Sequence, residues 1–178
     1  MKDYLIVNAK YNQKANSALI SILNGLSDAD REKDRGSYYG SLSGLVAHNL
    51  GGTTFFMSLF KDAVASNPAA SKVYDTLGKI GPAPKGTLTG DQWKSLVKDL
   101  ETADQALVDF VSALEDKDLQ APVKVPFYGG NPDSVPLAFL LLNLAAHGTH
   151  HRGQASQILD EMKVDNNYSG IDIAFLPK

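Results

Sequence analysis

His147 and His151 stand four residues apart in an apolar stretch, within the string His147-Gly148-Thr149-His150-His151-Arg152-Gly153-Gln154. On a helix that spacing puts both imidazoles on one face, one turn apart. A divalent metal needs this span from two ligands on one helix, because one turn matches the distance between adjacent coordination positions. The remaining histidine, His48, lies far upstream in a second apolar-periodic segment. Three imidazoles from two helices, meeting inside a bundle, would form a facial three-nitrogen metal site. The same spacing also suits two solvated side chains, or one core and one surface histidine.

The residues around His48 bear on that choice. Leu45, His48, Gly52, Phe55 and Leu59 recur at steps of three and four, the pattern of a helix seam buried in a bundle. His48 thus replaces an apolar residue, and a buried imidazole without partners for its ring nitrogens costs roughly 1–3 kcal/mol. A metal shared with His147 and His151 meets that need, as does a hydrogen bond to a carbonyl or side chain. On a helix wheel drawn from Asn143 at about 100° per residue, His147, His150, His151 and Gln154 share one broad face. Three histidines therefore compete for two ligand places.

The string His147-x-x-x-His151-Arg152-Gly153-Gln154 resembles the signature of the DinB/YfiT-like family of metal-dependent helical bundles. That pattern has one histidine in the second helix, where His48 stands, and H-x-x-x-H-R-G-Q in the fourth. The similarity extends to Tyr11-Asn12-Gln13-Lys14-Ala15-Asn16 and to Ile171-Asp172-Ile173. The resemblance implies an all-α four-helix bundle occupying residues 1–178 as one domain. It implies a divalent metal held by His48, His147 and His151, with water or substrate at the open positions. It selects His151 over His150, since Arg-Gly-Gln follows His151 directly. His150 is then a neighbour of the site or a surface residue. Asn143 and Gln154 can orient an imidazole or bond a metal-bound water, or serve as ordinary buried amides. Arg152, turned about 100° from His151, reads as a structural or interface charge or a substrate anchor, and not a ligand.

No carboxylate falls at a helical spacing that would set it beside the three histidines. Three neutral imidazoles leave a metal its full double charge, which lowers the pKa of bound water towards ~7. Such a site can hold hydroxide for hydrolysis, or the thiolate of an external low-molecular-weight thiol poised to attack an electrophile. The family resemblance implies the thiol chemistry, with a small-molecule substrate and a homodimer. Nickel, zinc and iron all suit imidazole. No general base is identifiable; Tyr11, Asn12 and Asn16 are candidates to line the mouth of the site.

Composition narrows the classes. At 178 residues the chain is long enough to bury about two-thirds of its unfolded surface in one core. With a net charge of −3 and no lysine-arginine stripe, nucleic acid is excluded as an expected partner, because such binding depends on neutralising phosphates. The chain has no cysteine, hence no disulfide, thiolate ligand or cysteine nucleophile of its own. It shows neither a basic-then-apolar leader nor the ~18–20-residue apolar run of a membrane span, so a cytoplasmic protein is expected.

Four long helices must position the histidines. The first is expected over 3–24, with Tyr4, Val7, Tyr11, Ala15, Ala18 and Ile22 as its seam and Leu5, Leu19, Leu23 and Leu26 flanking. A solvated connection follows over 27–35. The second helix, 41–62, carries His48 and the adjacent Gly51 and Gly52, which weaken it by roughly 1 kcal/mol each. Their use is close approach of a neighbour or room for a ligand. A short helix is expected over 67–77, then a Gly/Pro-rich loop. Thr89-Gly90-Asp91-Gln92 has the form of a capping box opening the third helix. The stretch 123–132 reads as a short extended, hairpin-like excursion before the fourth helix. Ser134 is expected to cap that helix, which runs to about 163. Ile171, Ile173, Phe175 and Leu176 are apolar enough to dock the tail.

Overall fold

Each of the four long periodic stretches folds as a helix: α1 (Lys2–Asn24), α3 (Leu42–Phe60), α6 (Gly90–Ala113) and α8 (Leu137–Glu161). The computed structural model describes residues 1–126, 133–167 and 170–175. Around the bundle the order is α1, α6, α3, α8, so α3 and α8, which carry the histidines, are neighbours. The architecture is all-α, with one two-stranded antiparallel ribbon among the described residues.

The seam of α1 differs from the apolar count. Its buried face is Leu5, Ala9, Asn12, Ala15, Asn16, Leu19, Ile20 and Leu23, whereas Tyr4 is 81% exposed and Val7 43% exposed. The helix turns two asparagines inward, and a count of apolar residues cannot see that. On α3, likewise, the deep residues are Leu45, Val46, Leu50, Thr53, Met57 and Phe60. His48 is half-buried beside this seam and Phe55 is exposed, so His48 borders the core without replacing a residue at its centre.

The connection after α1 is not simply solvated. Ser27 caps a short helix, α2 (Asp28–Glu32), by accepting from the Asp30 N–H. Arg31 is buried, its guanidinium 4.5 Å from the Trp93 ring centroid and bonded to Asp28. Residues 67–77 form two short helices, α4 (Pro68–Ser71), capped by Asn67, and α5 (Tyr74–Leu77). The capping box forms as expected: the Thr89 hydroxyl accepts from the Gln92 N–H, and the Gln92 side chain accepts from the Thr89 N–H.

After α7 (Asp116–Leu119), the strand β1 (Pro122–Lys124) pairs with β2 (Ser134–Pro136), with Val123 opposite Val135. The expected tip of this excursion lies outside the described residues. Ser134 does not cap the last helix, because pairing with Lys124 draws it into β2. Pro136 occupies the N-cap position instead, and the Leu137 N–H is satisfied by the Ala121 carbonyl at 3.0 Å. The tail docks in part. A 3-10 turn, Ile171–Phe175, rests on α1, with the Phe175 ring 6.1 Å from that of Tyr11, while Ile173 stays 68% exposed. Leu176 lies outside the described residues. Among those described, no helix is long and apolar enough to cross a membrane.

The core is split into two apolar clusters. One gathers Phe60, Phe110, Leu137 and Leu140; the other gathers Leu23, Leu42, Leu96 and Leu159. Between them three helices place buried polar residues at the same height: Asn12 and Asn16 on α1, Asp104 on α6, His151 and Arg152 on α8. The bundle thus has a polar waist, and the histidines lie in it.

Candidate metal centre

The waist is built around one buried cation. Arg152, 4% exposed, donates through Nη1 to Asn12 Oδ1 (2.5 Å) and Asn16 Oδ1 (2.9 Å). Asn16 Nδ2 donates in turn to both Asp104 oxygens, at 2.8 and 3.1 Å. Arg152 therefore fastens α8 to α1, and Asn16 fastens α1 to α6. This resolves its role as structural. Asn12 and Asn16 belong to this network and not to a site mouth, and Tyr11 packs on Phe175.

Arg152 turns inward one position after His151, and the rest of the helix follows from that. His147 and His151 face α3, where His48 meets them. Nitrogen atoms of all three lie within 4.8 Å of one another. His147 Nε2 and His48 Nε2 are 2.9 Å apart, close to the ~3 Å between neighbouring nitrogens on a metal with bonds of about 2.0–2.1 Å. The ring centroids of His48 and His147 are 4.4 Å from that of His151.

Two local features set this geometry. A Cβ at position 52 would lie 2.5 Å from His147 Cε1, so Gly52 makes the space for that ring. Gln154, one turn beyond His151, accepts from His151 Nδ1 at 2.7 Å. An amide oxygen only accepts, so Nδ1 carries the hydrogen and the Nε2 lone pair is free for a metal.

Electrostatics keep the lone pairs available. Burial, then the nearby His151, His48 and His150, pulls His147 down to about 4. His48 is lowered by burial and then by His151. His151 is lowered by burial and by His150, against an opposing effect of its bond to Gln154. Neutral imidazoles are the ligating form.

The family follows from a comparison over nearly the whole chain. The family model described as DinB family matches residues 1–164. The chain belongs to the DinB family. No curated protein and no solved structure matches it. In this DinB-family bundle the three histidines that converge are His48, His147 and His151. His150 is exposed, with its ring edge-on to His151 at 4.8 Å, and is not part of the converging group. Asn143 is half-buried one turn before His147.

Tyr39 was not legible as a site residue. Its ring stacks on His48 with centroids 3.9 Å apart and meets the His151 ring edge-on at 5.2 Å. Gly44 lets the tyrosine approach: a Cβ there would lie 2.0 Å from the Tyr39 carbonyl oxygen. The usable signal was local, an aromatic pair between Gly36 and Gly40, both at positive φ, just before the Ser41 cap of α3. Beside His48 and Tyr39 opens a cavity of about 500 Å³. Two carboxylates, Glu32 and Asp34, stand in its wall, brought there by the connection and not by helical spacing.

Proposed function

We propose that this DinB-family protein holds a divalent metal through His48, His147 and His151 and activates a low-molecular-weight thiol towards an electrophile. The observation that carries the metal reading is the convergence of three imidazoles from two helices within 4.8 Å, with no carboxylate in the group. A divalent ion bound there supplies a Lewis acid that lowers the pKa of a coordinated thiol or water. The protein's own contribution is preparation. Gln154 fixes the tautomer of His151, Gly52 admits His147, and Tyr39 covers the His48 ring and limits water on that side. The lack of any cysteine agrees with a thiol that arrives from solution.

The test is turnover of chlorodinitrobenzene by zinc-, nickel- or iron-loaded protein, with and without cysteine or dithiothreitol. The expected result is consumption that needs both thiol and metal and disappears in His48→Ala. Turnover of an ester substrate without thiol, rising through a pKa near neutrality, would instead assign the site to hydrolysis.

A further inference from the structure

The cavity beside His48 is walled by three segments that the sequence places far apart. The loop before α3 contributes Tyr39, α3 contributes Ala47 and Gly51, and the stretch before α6 contributes Ala83, Pro84 and Leu88. Glu32 ties these walls together. Its Oε2 accepts from the Leu88 N–H at 2.9 Å, and its Oε1 accepts from the Ser43 hydroxyl at the start of α3. The walls are therefore pinned before anything binds, and the volume of about 500 Å³ falls within the roughly 300–1,000 Å³ of small-molecule sites.

The lining also says what fits. Next to His48 it is small and apolar, and Tyr39 supplies an aromatic face. The charged groups lining it are the carboxylates of Glu32 and Asp34 and the ammonium of Lys85, and the buried Arg31 guanidinium stands 4.0 Å from Glu32, so no charge of one sign dominates to draw in an ion. Gly51 and Ala83 meet at one end of the cavity: a Cβ at position 51 would lie 3.7 Å from the Ala83 Cβ, in ordinary contact, so a larger side chain at either position takes up space there.

We propose that this cavity receives the compact apolar body of an uncharged small molecule whose donor or reacting atom lies at the three histidines. The inference rests on the metal reading above. The substrate class is neutral and apolar-bodied, and Gly51 and Ala83, which face each other at one end of the cavity, set the size accepted.

The test uses the full chain loaded with cobalt(II), whose visible spectrum reports a new ligand at the metal. Imidazole, phenylimidazole and carboxyphenylimidazole are titrated into the parent, Gly51→Leu and Ala83→Leu. Phenylimidazole is expected to bind at least about tenfold more tightly than imidazole, with the carboxylate-bearing probe weaker than phenylimidazole. Both variants should lose the phenyl advantage while keeping the cobalt stoichiometry and the imidazole affinity of the parent. Should Gly51→Leu misfold, Ala83→Leu makes the same test from the segment before α6. Equal binding of the two neutral probes, or a phenyl advantage that survives both substitutions, would overturn the cavity assignment and leave the metal reading standing. A parent that takes up no cobalt would overturn both.

Discussion

Gly52 and His147 share a single space. A Cβ at position 52 would stand 2.5 Å from His147 Cε1 and 3.3 Å from its Nε2, so glycine here is a condition for the imidazole's position. Gly52→Ala should raise intrinsic helix propensity by roughly 1 kcal/mol and still weaken metal binding by about tenfold or more. Zinc competition against a chelator reads the affinity, and circular dichroism confirms the helices. An unchanged affinity would show that the ring has other places to go.

Gln154 acts on the metal through His151, by holding a hydrogen on Nδ1. Gln154→Ala should reduce zinc affinity by roughly 10–100-fold, less than His151→Ala, since such supporting partners typically matter by that factor. Chelator competition again distinguishes the cases. An effect as large as loss of the ligand itself would mean that Gln154 does more than orient.

The buried Arg152 network should govern stability. Arg152→Met leaves the Asn12 and Asn16 oxygens and the Asp104 carboxylate without their buried cation, so unfolding in urea should show a loss of about 3–5 kcal/mol. A loss under about 1 kcal/mol would contradict the role assigned to Arg152.

Much of the site is legible in the residues, and what is not legible has one physical cause. The pairing of His147 with His151 follows from helical spacing, and the capping box at Thr89 follows from its four-residue form. Asn12, Asn16 and Asp104 were not readable as a unit, because they sit on two helices and only the packing brings them to one height. Tyr39 and Glu32 reach the site from a short connection whose path depends on Gly44 and Leu88, contacts with no sequence period. Ser134 has the chemistry of a cap, yet strand pairing placed it before one could form.

Asp104 gives the bundle a particular pH response. Burial, opposed by the hydrogen bond from Asn16 and the charge of Arg152, pushes its carboxyl up to about 7. In the native state the group then holds a proton from about pH 4 to 7 that the unfolded chain has released. The native state binds more protons over that window, so its stability falls as pH rises through it and levels off above. Relative to Asp104→Asn, the parent should lose roughly 2–3 kcal/mol between pH 5 and pH 8 in paired urea titrations. A constant difference across that range would show an ordinary carboxylate pKa.

Metal content decides whether the three histidines form a metal centre. Protein purified without a histidine tag is analysed for zinc, nickel and iron beside His48→Ala and His151→Ala. The three-histidine assignment predicts about one equivalent in the parent, lost in both variants while their helical circular dichroism persists. A metal-free parent that takes up none of these ions when they are added back would contradict it.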